Sequence, residues 1–455
     1  MKLRSNGINE IFGTVGMGIS TRGVLHYLYE TGCQRVCVRA PTPWSEDILL
    51  PPFRHVIKRI GSEYLSDITE GTLFLSPSVR RDIPALADAV RRGVCLSSDS
   101  EVFFAGTPKN AFCITGSDGK STTAALSARL LRTVAQRRVR LGGNIGVALS
   151  PFLCDARADD VYAVELSSFQ LAYMHPHSRR ALITGLSENH LNWHTDMREY
   201  VDAKSHIYTN ADECVLHADD PLCVQALGKR RPFAAYSASL TPRDMARIQA
   251  DVAVYAEDGY ICEGGKRLLP LTSIRLIGRH NVQNVMAAIA LTWGYHDTAA
   301  LEDAVYGFEG LPHRAETVAT VRGITYVDAS IDSSPTRTLT TLAAMPKPPI
   351  LILCGRSKHL DTGPLRLALP HQTKAVVCTG EFGRHMYEAL TDAAYAKEHA
   401  VNAVYAETLE DAVARATELA TVGDTVLLSP AATSFDAYRS FEERGRAFAA
   451  AVMAL

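Results

Sequence analysis

The chain has no apolar run approaching the length a membrane-crossing helix needs, about 20 residues. It has no surplus of either charge: 47 Lys and Arg face 49 Asp and Glu, for a formal −2. A nucleic-acid partner, which calls for a basic face, is therefore not expected. Ten cysteines are scattered without one C-x-x-C pair, as suits reduced thiols rather than a disulfide framework. The opening MKLRSNGINE lacks an apolar signal segment. There is no internal repeat and no low-complexity tract. These absences point to a soluble cytoplasmic enzyme with no membrane partner.

At 455 residues, 47% of them apolar, the chain exceeds one core and suits about three domains. Short apolar runs (RVCVRA, GTLFLS, AFCITG, DVYAVEL, ALITGL, PILILCG, AVVCTG, DTVLLSP) alternate with helical stretches such as ALADAVRRG and LEDAVARATEL. That alternation predicts α/β domains built on parallel sheets. AGTPKN (105–110) and FEGLPHR (308–314) read as joints, which gives domains near 1–106, 107–310 and 311–455.

The most specific string is FCITGSDGKSTT (112–123), an apolar strand entering a Gly-rich turn and then a helix. Gly116 and Gly119, around Ser117 and Asp118, let backbone N–H groups turn towards an anion, and the helix N-terminus adds partial positive charge. Lys120 would reach the outer phosphates of a nucleotide triphosphate and Ser121 would ligate Mg²⁺, with Thr122 following. Ile114 stands where the longer phosphate-loop pattern has its first glycine. GTVGMGIS (13–20) is a second Gly-rich strand-to-helix turn, suited to a diphosphate or simply a tight turn. The acidic residue that a dinucleotide fold carries after its second strand is missing, with Arg39 near its place, so an oxidoreductase is disfavoured.

Three polar residues follow successive strands: Glu165 in AVELSSFQL, Asn144 in GGNIGVAL and His190 in TGLSENHLNWH. Each alone suits a solvated loop; together they predict one shared sheet edge, where Glu165 could hold a metal. Lys204, on a helical stretch of mixed polarity, reads by itself as a surface lysine. Asn281 and Asn284, three apart at a helix start, could read an adenine edge, although capping explains Asn281 as well. His313 and Arg314 lie at the second joint. Lys358 in CGRSKHLD and the hydroxyls of LLSPAATSFDAYRSFEERG close the last segment.

Taken in order, GSDGKSTT, GGNIG, ELSSFQL, NHLNWH, the Lys204 segment, GRHNVQN, LPHRAE and LSPAATSFDAYRSFEERG resemble the Mur ligases. These are the ATP-dependent amino-acid-adding enzymes of peptidoglycan synthesis. The likeness spans nearly the whole chain, and the ELSSFQL and SFDAYRSFEERG strings resemble the D-glutamate-adding members most. It implies a Rossmann-like N-terminal domain for UDP-N-acetylmuramoyl-L-alanine, a P-loop-type central domain for ATP, and a Rossmann-like C-terminal domain for D-glutamate. It also implies an acyl-phosphate route; a monomer is expected.

By the same matching, Lys120, Glu165, His190 and Lys204 would be catalytic. Gly116 through Thr122, with Asn281, Asn284, His313 and Arg314, would hold ATP. Gly16, Gly18, Ser20, Thr21, Asn144 and His190 would hold the UDP-substrate, and Ser333, Lys358, Ser434 and Phe441 the amino acid. Mg²⁺ would sit on Ser121, Glu165 and His190, with Lys204 joining them if carbamylated. The sequence departs from the family pattern at Ile331, where many members have lysine, and at Ser357 and Asn192, where aspartate is usual. A ligase for another amino acid, of Mur or folylpolyglutamate type, and an ATPase switch without ligase activity are the alternatives.

Overall fold

The computed structural model describes residues 11–44, 50–106, 108–191 and 193–455. The chain divides into two compact units. One holds the described residues up to Ile274 together with Val282–Val305; the other holds Arg275–Asn281 and Tyr306–Leu455. Three parallel-rich α/β sheets carry the architecture. All eight apolar runs singled out in the sequence lie on strands of these sheets.

The first unit contains two sheets. The smaller comprises β1 (Phe12–Val15), β2 (Arg35–Ala40), β3 (His55–Ile60), β4 (Thr72–Leu75) and β5 (Cys95–Ser97), in the order β3-β2-β1-β4-β5. Every pairing is parallel, and the order is that of a Rossmann half. Period-two alternation sends neighbouring residues to opposite faces. Phe74 packs with Val24, Leu25 and Leu28 of the helix Ile19–Glu30, whereas Leu73 and Leu75 pack with Leu86 and Ala89 of the helix Pro84–Arg91.

The larger sheet comprises β6 (Ala111–Thr115), β7 (Val139–Gly143), β8 (Val161–Glu165), β9 (His177–Ile183), β10 (Asn210–His217), β11 (Ala234–Ser237), β12 (Val252–Glu257), β13 (Tyr260–Glu263) and β14 (Lys266–Pro270). Its order is β14-β13-β12-β11-β10-β9-β6-β8-β7, with only the β12–β14 meander antiparallel. Register decides what meets at its carboxyl edge. Ile114 pairs with Glu165, Gly143 with Glu165, and Thr115 with Ile183. The loops after β6, β7, β8 and β9 therefore leave the sheet side by side, as the sequence reading anticipated for Asn144, Glu165 and His190.

The second unit is built on β15 (Glu316–Val321), β16 (Ile324–Asp328), β17 (Ile350–Leu353), β18 (Ala375–Cys378), β19 (Ala403–Tyr405) and β20 (Thr425–Leu428). Their order is β15-β16-β20-β17-β18-β19, parallel except for the β15–β16 hairpin. Ile350 and Ile352 enter one core with Phe448 and Val452, and Leu351 and Leu353 enter the other with Leu365 and Phe382. Both faces are thus covered, which is why these strands read as continuous apolar runs.

Candidate active site

The phosphate-type loop bridges Thr115, the end of β6, and the helix Lys120–Leu131. Two glycines permit its path: Gly116 at φ +152° and Gly119 at φ +77°. A Cβ on Gly116 would collide with Thr184 Oγ1, and one on Gly119 with Asn284 Oδ1. Ser117 is turned into the fold. Its N–H donates to Gly185 O at 2.7 Å, and its Oγ lies 2.8 Å from the Tyr200 hydroxyl and 2.9 Å from Ser187 O. Thr184 Oγ1 donates to Asp118 O at 2.5 Å, and Lys120 Nζ to Ser117 O at 2.6 Å. The loop is therefore braced before any ligand arrives, with Lys120, Ser121 and Thr122 in the first helical turn behind it.

Glu165 ends β8 and is 1% exposed. Its Oε1 accepts from Asn144 Nδ2 at 2.8 Å, while Oε2 is buried without a hydrogen-bond partner. A buried carboxylate oxygen with no donor is costly unless a cation meets it. That orphan oxygen, at the end of the strand paired with the one that feeds the phosphate loop, fits a hard divalent ion such as Mg²⁺.

Lys204, in the helix Met197–Thr209, is 2% exposed and donates to Gly116 O at 2.7 Å and Thr115 Oγ1 at 3.2 Å. The surface-lysine alternative is thereby excluded. Burial, and then the nearby Lys120, pull its pKa well below 10.5 against the opposing charges of Glu165 and Asp118. Lys120, Glu165 and Lys204 thus share one electrostatic neighbourhood.

His190, at φ +57° on the loop after β9, packs against Phe169 with ring centroids 4.9 Å apart. Its neighbour His194, which the sequence reading passed over, is 1% exposed, with Nε2 2.9 Å from Ser168 Oγ. Burial holds His194 below its ordinary pKa. The same loop is fastened to the smaller sheet's domain. Trp193 Nε1 donates to Ser78 O at 3.0 Å, and the Arg80 guanidinium lies 4.8 Å from the Trp193 ring centroid. Asn192 lies outside the described residues.

Gly16, Gly18, Ser20 and Thr21 lie at the turn between β1 and the helix Ile19–Glu30, on a different sheet from the phosphate loop. Thr21 is buried and its hydroxyl donates to Gly18 O at 3.1 Å. Arg39 is not exposed at this edge. It is 1% exposed and makes a two-point ion pair with Glu70 at 2.8 and 3.0 Å. The same guanidinium donates to Tyr64 O, Ser66 O and Asp67 O.

Asn281 and Asn284 stand in the first turn of the helix His280–Thr292. Asn281 Nδ2 donates to Ile277 O at 2.7 Å, a local bond in which the side chain is the donor and so not an N-cap. Asn284 Oδ1 lies 3.4 Å from Thr123 Oγ1, over the start of the phosphate-loop helix.

Within the second unit, His313 at φ +62° has Nδ1 2.7 Å from Asp328 Oδ2, and Arg314 follows it. Burial raises the Asp328 pKa, with His313 opposing. Lys358 Nζ reaches Ser333 Oγ at 3.3 Å, so those two predicted residues are neighbours. Ser434 is buried, and Phe441 opens the last helix. Arg444, wholly buried, ties these loops together: Nε donates to Ser330 Oγ at 3.0 Å, Nη2 to Ser330 O at 2.8 Å and Nη1 to Ala432 O at 3.1 Å. Ser330 Oγ in turn donates to Phe441 O at 2.8 Å. Asp328 and Arg444 were missed as organisers because their only sequence signal was a strand-end VDAS and one arginine among four charges in FEERGR. Of the departures, Ile331 donates its N–H to His313 O at 3.2 Å, and Ser357 Oγ accepts from His359 N at 3.0 Å.

Comparison with known proteins gives the family. The family profile described as Mur ligase middle domain matches residues 114–292, and that of the Mur ligase, glutamate ligase domain, matches 313–432. The chain belongs to the Mur ligase family. It is 33% identical over 446 residues to the UDP-N-acetylmuramoylalanine–D-glutamate ligase of Clostridium kluyveri, covering 96% of this chain and 95% of that one. The protein of the same name from Symbiobacterium thermophilum is 35% identical over 461 residues, covering 98% and 99%. The fold is shared with the UDP-N-acetylmuramate–alanine ligase of Thermotoga maritima, with a TM-score of 0.61, 18% identity and coverage of 98% and 99%. It is also shared with the MurF ligase of Thermotoga maritima solved in complex with ADP, with a TM-score of 0.55, 13% identity and coverage of 98% and 95%.

Proposed function

We propose that this protein is an ATP-dependent acid–D-amino-acid ligase that joins D-glutamate to UDP-N-acetylmuramoyl-L-alanine in peptidoglycan precursor synthesis. The observation that carries this reading is the nearly full-length likeness, at 31–35% identity, to relatives bearing that name. The arrangement of Lys120, Glu165 and Lys204 around a braced phosphate loop supports it. We place the reaction in the cytoplasm, by a monomer. Separately, no helix among the described residues is long and apolar enough to cross a membrane.

On this reading the loop amides and Lys120 receive the outer phosphates and stabilise charge on the phosphoryl group in flight. The substrate carboxylate attacks the γ-phosphorus, giving an acyl phosphate and ADP. The D-glutamate amine then attacks the acyl carbon, and the tetrahedral adduct expels phosphate. Bound Mg²⁺ would supply charge neutralisation between ATP and the carboxylate. Ser121 and Glu165 would hold one ion, and His190 a second with Lys204. The burial that keeps Lys204 short of protons also suits carbamylation, in which the neutral amine adds to CO₂ and releases a proton. Residues 1–106 would take the UDP-substrate through Gly16, Gly18, Ser20 and Thr21, with Asn144 and His190 of residues 107–310 completing the set. Residues 107–310 would hold ATP; Asn281, Asn284 and His313 are assigned to adenine and Arg314 to the phosphates. Lys358, Ser333, Ser434 and the backbone at Phe441 would meet the two carboxylates of D-glutamate.

The test is phosphate release from ATP and Mg²⁺ with UDP-N-acetylmuramoyl-L-alanine, adding D-glutamate, L-glutamate, L-lysine or meso-diaminopimelate in turn. Release with D-glutamate alone, with the matching product mass, is expected. Release with another amino acid would overturn the specificity, and release indifferent to both substrates would favour an ATPase switch. Lys204→Ala is expected to be inactive, with partial rescue by excess chloride or acetate; absence of rescue would count against the carbamate.

A further inference from the structure

Strand β10 ends on His217, and the chain continues through Ala218, Asp219 and Asp220 into the short helix Pro221–Leu227. His217 is 6% exposed, and its ring lies flat against Tyr236, 4.7 Å between centroids and 8° between planes. Neither ring nitrogen makes a hydrogen bond of good geometry, although the Thr184 backbone acts on the ring. A neutral imidazole carries one donor and one acceptor, and buried polar atoms are almost always satisfied. Two orphan nitrogens on one buried ring therefore need an explanation.

The surroundings supply one. The ligand atoms of His217, Asp220 and Cys223 all lie within 4.8 Å of one another. A Cβ built on Gly185 would stand 3.6 Å from Asp220 Oδ2 and 3.8 Å from His217 Nδ1, so both atoms approach the same side of that glycine. Cys223 is wholly buried. The Asp220 carboxylate is fixed, Oδ2 by Leu186 N at 2.7 Å and Oδ1 by Leu222 N at 2.8 Å. On the far side of the ring, Nε2 lies 3.8 Å from Asp219 Oδ2.

We propose that His217, Asp220 and Cys223 form a site for a thiophilic divalent transition metal, Zn²⁺ in particular, separate from the oxygen-donor position at Glu165. One sulfur, one nitrogen and one oxygen ligand select Zn²⁺ over Mg²⁺, which prefers oxygen alone. Ligands about 2.0–2.3 Å from a tetrahedral ion stand about 3.5 Å apart, so the site closes with about an ångström of side-chain movement. The metal–sulfur bond forms as the Cys223 thiol proton leaves to solvent. His217 coordinates through Nδ1 as a neutral ring and keeps its proton on Nε2, beside Asp219, which orients the ring from outside the coordination sphere. A fourth position is left for water. This inference does not depend on the ligase reading.

The test is titration of the metal-free full-length protein with Co²⁺. We expect one tightly bound ion per chain, with a thiolate-to-cobalt charge-transfer band and tetrahedral ligand-field bands, displaced by Zn²⁺ and untouched by Mg²⁺. Cys223→Ser removes the charge-transfer band. His217→Phe keeps the ring on Tyr236 and removes both orphan nitrogens. That variant should melt no lower than the wild type without metal, yet lose the melting-temperature rise that Zn²⁺ gives the wild type. Its Zn²⁺ affinity should fall about 100-fold or more, since outer-sphere losses alone cost about 10–100-fold. No charge-transfer band in the wild type, its persistence in Cys223→Ser, or an equal Zn²⁺ response in His217→Phe would overturn the site. Should Cys223→Ser fail to fold, His217→Phe decides.

Discussion

Replacing Arg39 with methionine tests whether this residue is a structural clamp or faces a ligand at the first sheet's edge. The guanidinium is buried and makes five bonds, two to Glu70 and one each to Tyr64 O, Ser66 O and Asp67 O. Methionine fills much of the same volume but leaves the buried Glu70 carboxylate without a cation, with the Thr69 N–H at 2.9 Å, its own backbone N–H and the Cys37 thiol as neutral donors. Removing one partner of a buried ion pair costs about 3–5 kcal/mol, because the other charge is stranded. At about 1.4 kcal/mol per decade, local opening of the 61–70 segment should become about two to three and a half powers of ten more frequent.

Amide hydrogen exchange of peptides covering 61–75 reads that change directly. It also avoids assigning one unfolding free energy to a chain with several cooperative parts. The double variant Arg39→Met with Glu70→Met should recover most of the loss, since an apolar pair of similar volume is often as stable as the ion pair. Burial alone would raise the Glu70 pKa, yet the Arg39 and Cys37 bonds bring it below 4.5. The wild type therefore holds this stabilisation fully above about 4.5 and loses it as pH falls through the lowered value, so the gap between wild type and Arg39→Met should narrow in acid. An exchange change smaller than about tenfold would refute the clamp. So would weakened UDP-nucleotide binding with unchanged exchange.

Lys204→Met should abolish activity while removing a pH dependence of stability. With the folded pKa well below 10.5, the unfolded chain binds a proton the folded one does not, so wild-type stability rises with pH towards 10.5. Melting temperatures at neutral and alkaline pH should show that slope in the wild type and lack it in Lys204→Met. Gly116→Ala forces a Cβ onto Thr184 Oγ1, and backbone strain of about 1–3 kcal/mol should weaken ATP binding by about tenfold or more in calorimetry. Arg444→Lys cannot serve both Ser330 and Ala432 and leaves buried acceptors unmet, at about 1–3 kcal/mol. Steady-state kinetics should show a raised KM for the amino acid with the KM for ATP little changed.

What the sequence determined by itself was local. Apolar runs bounded by glycine became strands because burial on both faces requires continuous hydrophobicity. Gly116 and Gly119 marked the phosphate loop because their positive φ disfavours a side chain. The order of strings along the chain placed the family. Tertiary structure alone decided the pairings of groups far apart in sequence: Lys204 with Gly116, Asn144 with Glu165, Arg39 with Glu70, Arg444 with Ser330. Helical periodicity says which residues share a face, not which face docks beneath a loop 88 residues away, so Lys204 by itself read as a surface lysine. Likewise Arg39 stood where a ligand-facing acid was expected, and only the return of the chain through 64–70 showed that its charge is spent inside the fold. The physical reason is the same throughout. Strand and loop chemistry is set by neighbours in sequence, whereas the charge state and exposure of a side chain are set by what the rest of the chain brings against it.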